Sequence, residues 1–195
     1  MKIIATVFCY VLSILTAYSE DDRADVVYET PETIKAKYRS VFARKLQRAD
    51  RVEIYIVSFD DLRDEDLFMS GEKHIKVAPY GQYTKIIRSR HLDAKETKDI
   101  LIALAKQIAK PEHSGGALYH YPIHGIRIYR DNSLLHEGTF CWLCGNFGFS
   151  YDLGTDWLDT SSELETIFKR LLPVPKKELE RFEKKYSSKK KKAAF

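Results

Sequence analysis

Two β-rich runs joined by a short turn constrain the fold of this chain more than any other feature. The runs are GIRIYR at 125–130 and LLHEGTFCW at 134–142. Asp131 and Asn132 stand between them, and both residue types tolerate the backbone of a tight hairpin turn. The sequence therefore predicts an antiparallel hairpin in which Arg130 lies opposite Ser133.

This register predicts which side chains share a face of the hairpin. It places His124 opposite Thr139, and directly opposed residues share a face with positions two apart. We therefore expect His120, His124 and Cys141 on one face. The glycine after Cys144 allows the chain to turn and bring the second thiol to the same place.

Four side chains of this segment form the candidate site: His120, His124, Cys141 and Cys144. Two His and two Cys fill a tetrahedral zinc site, either structural or hydrolytic. The cysteines can instead form a short-loop disulfide, which the exported context favours, remain free structural thiols or, least favoured, act as a redox pair. The histidines can instead be packed or pocket-lining residues. Arg127 and Trp142 are the neighbours of any site here.

No catalytic motif accompanies these residues. The chain has no GxSxG elbow, phosphate-binding glycine loop, HExxH helix or dinucleotide fingerprint. The SGG stretch at 114–116 is typical of a turn. The sequence therefore identifies no catalytic residue and no cofactor other than zinc, and it favours a non-catalytic protein.

The first nineteen residues have the order of a secretory signal peptide. Lys2 precedes an apolar run, and Ala17 and Ser19 supply the small residues before a cleavage point. The run is shorter than the ~20 residues that cross a bilayer, and the alternatives to a signal peptide are an uncleaved membrane anchor and a buried N-terminal strand. No other hydrophobic run approaches membrane length, so no transmembrane segment is expected in the mature chain. The interpretation is an exported protein, periplasmic or secreted, that loses Cys9 and keeps two cysteines in an oxidising compartment.

The remaining chain is predicted to form one α+β domain at 31–175. It follows a flexible acidic segment at 20–30 and precedes a basic tail at 176–195. Alternating strand and helix patterns indicate a mostly antiparallel sheet of about five to six strands covered by two to three helices.

Three helices are predicted from caps and apolar spacing. The first begins after Thr30 and has a stripe of Ile34, Tyr38, Val41, Phe42 and Leu46. The second begins with a capping box at Asp93 and Glu96 and has a stripe of Ile100, Leu101, Leu104 and Ile108. The third has Thr160 and Glu163 as its predicted capping box and Pro173 as its stop.

Charge is distributed unevenly along the chain. The formal net charge is +4, but residues 176–192 hold nine Lys or Arg against three Glu, a net +6. The body at 20–175 is therefore acidic, about −3, which argues against a nucleic-acid-binding face on the domain. The tail, whose first half is a candidate helix, is interpreted as a solvated segment, and contact with anionic surfaces is the alternative. Its partners are otherwise not identified by the sequence.

The hairpin motif also resembles a pattern in uncharacterised exported bacterial proteins. The shared residues are Pro122-x-His124-Gly125-Ile126-Arg127 followed by Cys141-Trp142-Leu143-Cys144. The likeness covers about residues 119–151 and implies bacterial export without a known activity. The sequence thus predicts an exported structural or binding module with a Cys141–Cys144 disulfide, and a zinc-binding protein is the alternative.

Overall fold

A computed structural model describes residues 30–64, 73–77, 81–114, 120–151 and 154–192 of the 195-residue chain. The chain divides into a unit of residues 1–34 and a unit of residues 35–195. The predicted signal peptide at 1–19 and nearly all of the acidic segment at 20–30 lie outside the described residues. The second unit includes the segment predicted as a basic tail.

The sheet has seven strands, each paired with its neighbours in the antiparallel sense. The strands are β1 (Arg51–Asp64), β2 (His74–Val77), β3 (Gln82–His91), β4 (His124–Arg130), β5 (Ser133–Cys141), β6 (Asn146–Tyr151) and β7 (Gly154–Asp159). Their order across the sheet is β2-β3-β1-β4-β5-β6-β7. The predicted mixed, antiparallel architecture is confirmed, whereas the predicted five to six strands are too few because β7 was not expected.

Four helices occur in the described part of the chain, and three of them lie within the predicted domain, for which two to three were expected. They are α1 (Pro31–Leu46), α2 (Ala94–Ile108), α3 (Ser162–Leu171) and α4 (Lys176–Lys192). None of them is both long and apolar enough to cross a membrane. The additional helix, α4, occupies most of the predicted tail.

The main core lies between one face of the sheet and helices α1, α2 and α3, and we call this face the helix-covered face. It buries residues of β1 and β4 at alternate positions, such as Ile54 and Ile126, as expected for strands with one face in a core. The helix α2 contributes all four predicted apolar residues, Ile100, Leu101, Leu104 and Ile108, and each of them is buried.

The predicted stripe of α1 is only partly correct. Ile34 and Val41 are 49% and 58% exposed, whereas Arg39, Ala43 and Leu46 are buried. The guanidinium of Arg39 donates to the backbone oxygens of Lys110 and Pro111, 3.3 and 2.9 Å away, directly after α2. Because its guanidinium supplies hydrogen bonds to carbonyl oxygens at the end of α2, the charged Arg39 occupies a buried position there.

Two of the three predicted helix starts are correct. The Thr30 hydroxyl accepts from the Thr33 amide at 3.2 Å, and Asp93 and Glu96 form the reciprocal capping box of α2. The third start lies one residue later than predicted. Ser161, not Thr160, caps α3 by accepting from the Leu164 amide at 3.2 Å.

The β4–β5 hairpin begins as the sequence predicts and then departs from the predicted register. Asp131 and Asn132 have φ values of 51° and 64°, and Arg130 pairs with Ser133. Tyr129 pairs with Leu134, but Ile128 pairs with His136. Leu135 is therefore the extra residue of a β-bulge, and every later pair is shifted by one position.

Candidate functional site

The bulge decides which face of the sheet each predicted site residue occupies. His124 lies opposite Phe140 instead of Thr139. One extra residue in a strand moves all later side chains to the other face, because the side-chain period is two. The prediction that His120, His124 and Cys141 share a face is therefore wrong for His124, which lies on the helix-covered face.

His124 is fully buried in an aromatic cluster and is hydrogen-bonded through both ring nitrogens. Its Nε2 donates to the carbonyl oxygen of Leu172 at 2.9 Å, and its Nδ1 accepts from the indole Nε1 of Trp142 at 2.7 Å. The rings of Trp142 and Phe168 lie 5.8 and 5.4 Å from the imidazole. Burial lowers the pKa of His124 to about 4, so the ring is neutral at physiological pH.

His120 occupies the opposite face and is also hydrogen-bonded through both nitrogens. Its Nδ1 donates to the Asn146 side-chain oxygen at 2.8 Å, and its Nε2 accepts from the Thr139 hydroxyl at 2.9 Å. The Trp157 ring lies 4.6 Å from the imidazole. Burial lowers the pKa of His120 to about 4, and the Asn146 bond acts in the opposite direction.

The two cysteines meet each other at the turn between β5 and β6. Cys141 and Cys144 are at disulfide-bonding distance, with Cα atoms 5.2 Å apart. The Cys144 amide donates to the Cys141 sulfur at 3.1 Å, and Gly145 turns the chain with φ of 68°. Cys141 pairs with Asn146 and is fully buried, whereas the intervening Leu143 is 57% exposed.

The structure thus brings the predicted residues together in two separate groups. Trp142 joins His124 on the helix-covered face, and Cys141 joins Cys144 at the turn. Within the described part of the chain, no three His, Cys, Asp or Glu side chains are placed to hold a metal ion. The four predicted zinc ligands do not meet at one point in this arrangement, because the two histidines lie on opposite faces of the sheet and their ring nitrogens are hydrogen-bonded to other groups.

Arg127 belongs to a different cluster, on the face opposite the core. Its Nε donates to Glu137 at 2.5 Å, and its NH2 group donates to the His74 backbone oxygen of β2 at 2.5 Å. Its guanidinium also lies 5.4 Å from the centre of the Tyr55 ring. The side chains of Arg127 and Glu137 are only 11% and 13% exposed, so this ion pair is largely removed from water.

Glu53 and Tyr55 extend this cluster along β1. The Tyr55 hydroxyl donates to Glu53, and burial raises the pKa of Tyr55. Neither residue was predicted from the sequence as part of a site. Their alternation with Val52, Ile54 and Ile56 was the available signal, because it places them on the face opposite the core.

β2 lies close to this cluster because Gly125 has no side chain. A Cβ atom at Gly125 would lie 2.7 Å from the Ile75 Cδ1 atom. The same approach lets Glu137 accept from the Lys76 amide of β2 at 3.1 Å. The Arg127–Glu137 pair therefore connects the middle of the sheet to its first edge strand.

A serine, a histidine and an aspartate meet elsewhere, between the loop after α2 and β7. The Ser114 hydroxyl donates to the Asp159 carboxylate, and the Asp159 amide donates to His113 Nδ1 at 3.0 Å. A nucleophilic serine needs the histidine, not the carboxylate, as the acceptor of its proton. These contacts fasten the loop to the sheet and do not assemble a catalytic triad.

The chain matches no protein-family model, no curated protein and no solved structure. Its function is therefore inferred from its own residues and contacts.

Proposed function

We propose that this chain is an exported, non-catalytic structural or binding module whose β5–β6 turn is held by a Cys141–Cys144 disulfide. One observation carries the proposal: the conspicuous polar side chains of the hairpin are engaged with one another or with the backbone. His120 and His124 each use both nitrogens in internal hydrogen bonds, and the two sulfurs lie at bonding distance. A general base or a metal ligand needs a nitrogen that can reach a substrate or an ion.

Export is supported by the cysteines and by residues 1–19. A disulfide persists in oxidising compartments and is rare in the cytosol. The sequence of residues 1–19 has the features of a secretory signal peptide. The resemblance of the hairpin motif to exported bacterial proteins is consistent with the same destination.

Trp142 explains why a disulfide is useful at this position. Residues 142 and 143 are enclosed by the two cysteines, and Trp142 stacks on Phe140 with ring centres 5.1 Å apart and contacts Phe168 of α3 at 5.3 Å. A closed loop of four residues holds the indole where it can donate to His124. The proposed bond therefore fixes the turn to the core and stabilises the surface around it.

The test measures the intact mass and the zinc content of the protein after purification from an exporting host without a chelator. The expected result is a chain two hydrogen atoms lighter than its reduced form, with no thiol modified by iodoacetamide under denaturing conditions and no bound zinc. His124→Ala and the matched surface variant His91→Ala are expected to be equally metal-free.

One zinc ion per chain that is lost in His124→Ala and retained in His91→Ala would overturn the proposal in favour of a metal site. Two alkylated thiols in freshly exported protein would overturn the disulfide. Retention of residues 1–19 in protein recovered from the cytosol alone would overturn export.

A further inference from the structure

The helix α4 has two halves of different charge. Residues 176–183 contain three basic and three acidic side chains, whereas residues 184–192 contain six lysines and no acidic residue. The helix continues through both halves, from Lys176 to Lys192. The net charge of +6 in the tail therefore belongs entirely to the second half of one helix.

The first half is attached to the sheet by specific contacts. Phe182 is 9% exposed, and its ring meets Phe59 of β1 edge-on with centres 4.9 Å apart. The Arg181 guanidinium donates to the Asp60 carboxylate at 2.9 Å and lies 5.0 Å from the centre of the Phe59 ring. These contacts give α4 a fixed point on the domain at residues 181–182.

The second half extends well beyond that point. Lys185, near the start of this half, pairs with Asp60 at 3.9 Å. At ~1.5 Å per residue, the helix continues ~10 Å along its axis from residue 185 to residue 192, which exceeds the ~8 Å over which charges are screened at physiological ionic strength.

A helix with this charge pattern is suited to a negative surface. Six lysines and no acidic residue lie within nine consecutive residues of one helix. Near an anionic bilayer each lysine is expected to increase affinity about fivefold, the equivalent of about 1 kcal/mol.

We propose that residues 184–192 form a cationic docking segment for anionic lipid headgroups, held on the domain by Phe182 and Arg181. A bilayer rather than a nucleic acid is the partner for two reasons. A nucleic acid that followed the protein surface would meet the acidic body, whereas a flat membrane needs only one short basic segment. The second reason is that an exported protein works beside membranes, and only this reason rests on the proposed function.

The experiment is co-sedimentation of the full chain with vesicles of phosphatidylcholine, with and without phosphatidylglycerol. In the segment variant, Lys189, Lys190, Lys191 and Lys192 are all changed to Gln. In the matched control, Lys95, Lys98, Lys176 and Lys177 are all changed to Gln, which removes the same charge elsewhere. Lysine and glutamine have similar helix propensities, so both variants are expected to retain their helices.

The expected result is salt-sensitive binding to phosphatidylglycerol vesicles and none to pure phosphatidylcholine. The segment variant should lose affinity several-hundred-fold, and the control should stay within about threefold of the original chain. Equal losses in the two variants, or equal binding to the two kinds of vesicle, would overturn the proposal. Preference for duplex DNA over the vesicles would also overturn it. Because the assay uses purified protein, its outcome is independent of the disulfide and of export.

Discussion

Three buried, neutral histidines should make the stability of this protein fall steeply in mild acid. Burial lowers the pKa of His120, His124 and His136 to about 4 in each case. His136 lies between the rings of Phe42 and Phe149, and its Nε2 finds no hydrogen-bond partner among the described residues. Protonation would place an uncompensated charge in each of these positions.

The direction and size of this change in stability follow from the number of protons that the folded and unfolded chains bind. An unfolded histidine has a pKa of about 6.5, so between about pH 6.5 and 4 the unfolded chain binds more protons than the folded chain. The stability contributed by the neutral histidines is therefore fully present above this range and is lost as the pH falls through it. Each histidine is expected to cost about 2 kcal/mol between about pH 7 and pH 5, and the three together about 5 kcal/mol. That loss is comparable with the whole stability of a typical domain.

The assay is urea unfolding followed by tryptophan fluorescence at about pH 7, 6 and 5. In His136→Phe the loss between pH 7 and 5 should be smaller by about 2 kcal/mol, because one of the three groups no longer titrates. Phe149→Leu provides the control, since it disturbs the same cluster without removing a titratable group and should weaken the protein equally at each pH. A free energy of unfolding that stays within about 1 kcal/mol from pH 7 to 5 would refute the reasoning.

Three further predictions concern single contacts. Trp142→Phe should lower the free energy of unfolding by about 1–3 kcal/mol, because the buried Nδ1 of His124 loses its donor, and urea unfolding measures it. Arg127→Met should lower the free energy of unfolding by about 3–5 kcal/mol, because Glu137 stays buried without its partner. The double variant with Glu137→Leu should recover much of that loss. Additive losses in the double-mutant cycle would contradict a coupled pair. Phe182→Ala should release α4 without unfolding the sheet, so amide exchange should speed up in residues 176–185 and stay slow in β4; unchanged exchange in α4 would show that the aromatic contact does not hold the helix.

The sequence predicted the turn of the hairpin but not its register. Asp131 and Asn132 carry a local signal for left-handed backbone, and both residues have positive φ. The bulge at Leu135 has no comparable signal, because Leu is common in regular strands. Because the predicted register omitted the extra residue Leu135, it placed His124 on the wrong face of the sheet. The predicted metal site required His124 on that face.

The helices show the same division between local and long-range causes. The stripe of α2 was predictable because its spacing and capping box are local, and it is buried as expected. Arg39 was not predictable, since its partners Lys110 and Pro111 lie 71 and 72 residues away in the sequence. Similarly, the attachment of α4 depends on Phe59, which no pattern within residues 176–192 reveals.

The contacts of Arg127 and Glu137 with β2 have a consequence for the solubility of this protein. β2 is an edge strand, and unpaired backbone groups on an edge are a template for association with another chain. Here the Lys76 amide and the His74 carbonyl, on the side away from β3, are occupied by side chains from β5 and β4. The Arg127–Glu137 ion pair therefore blocks backbone pairing at the edge of β2, and its loss would expose a surface prone to intermolecular β-sheet aggregation.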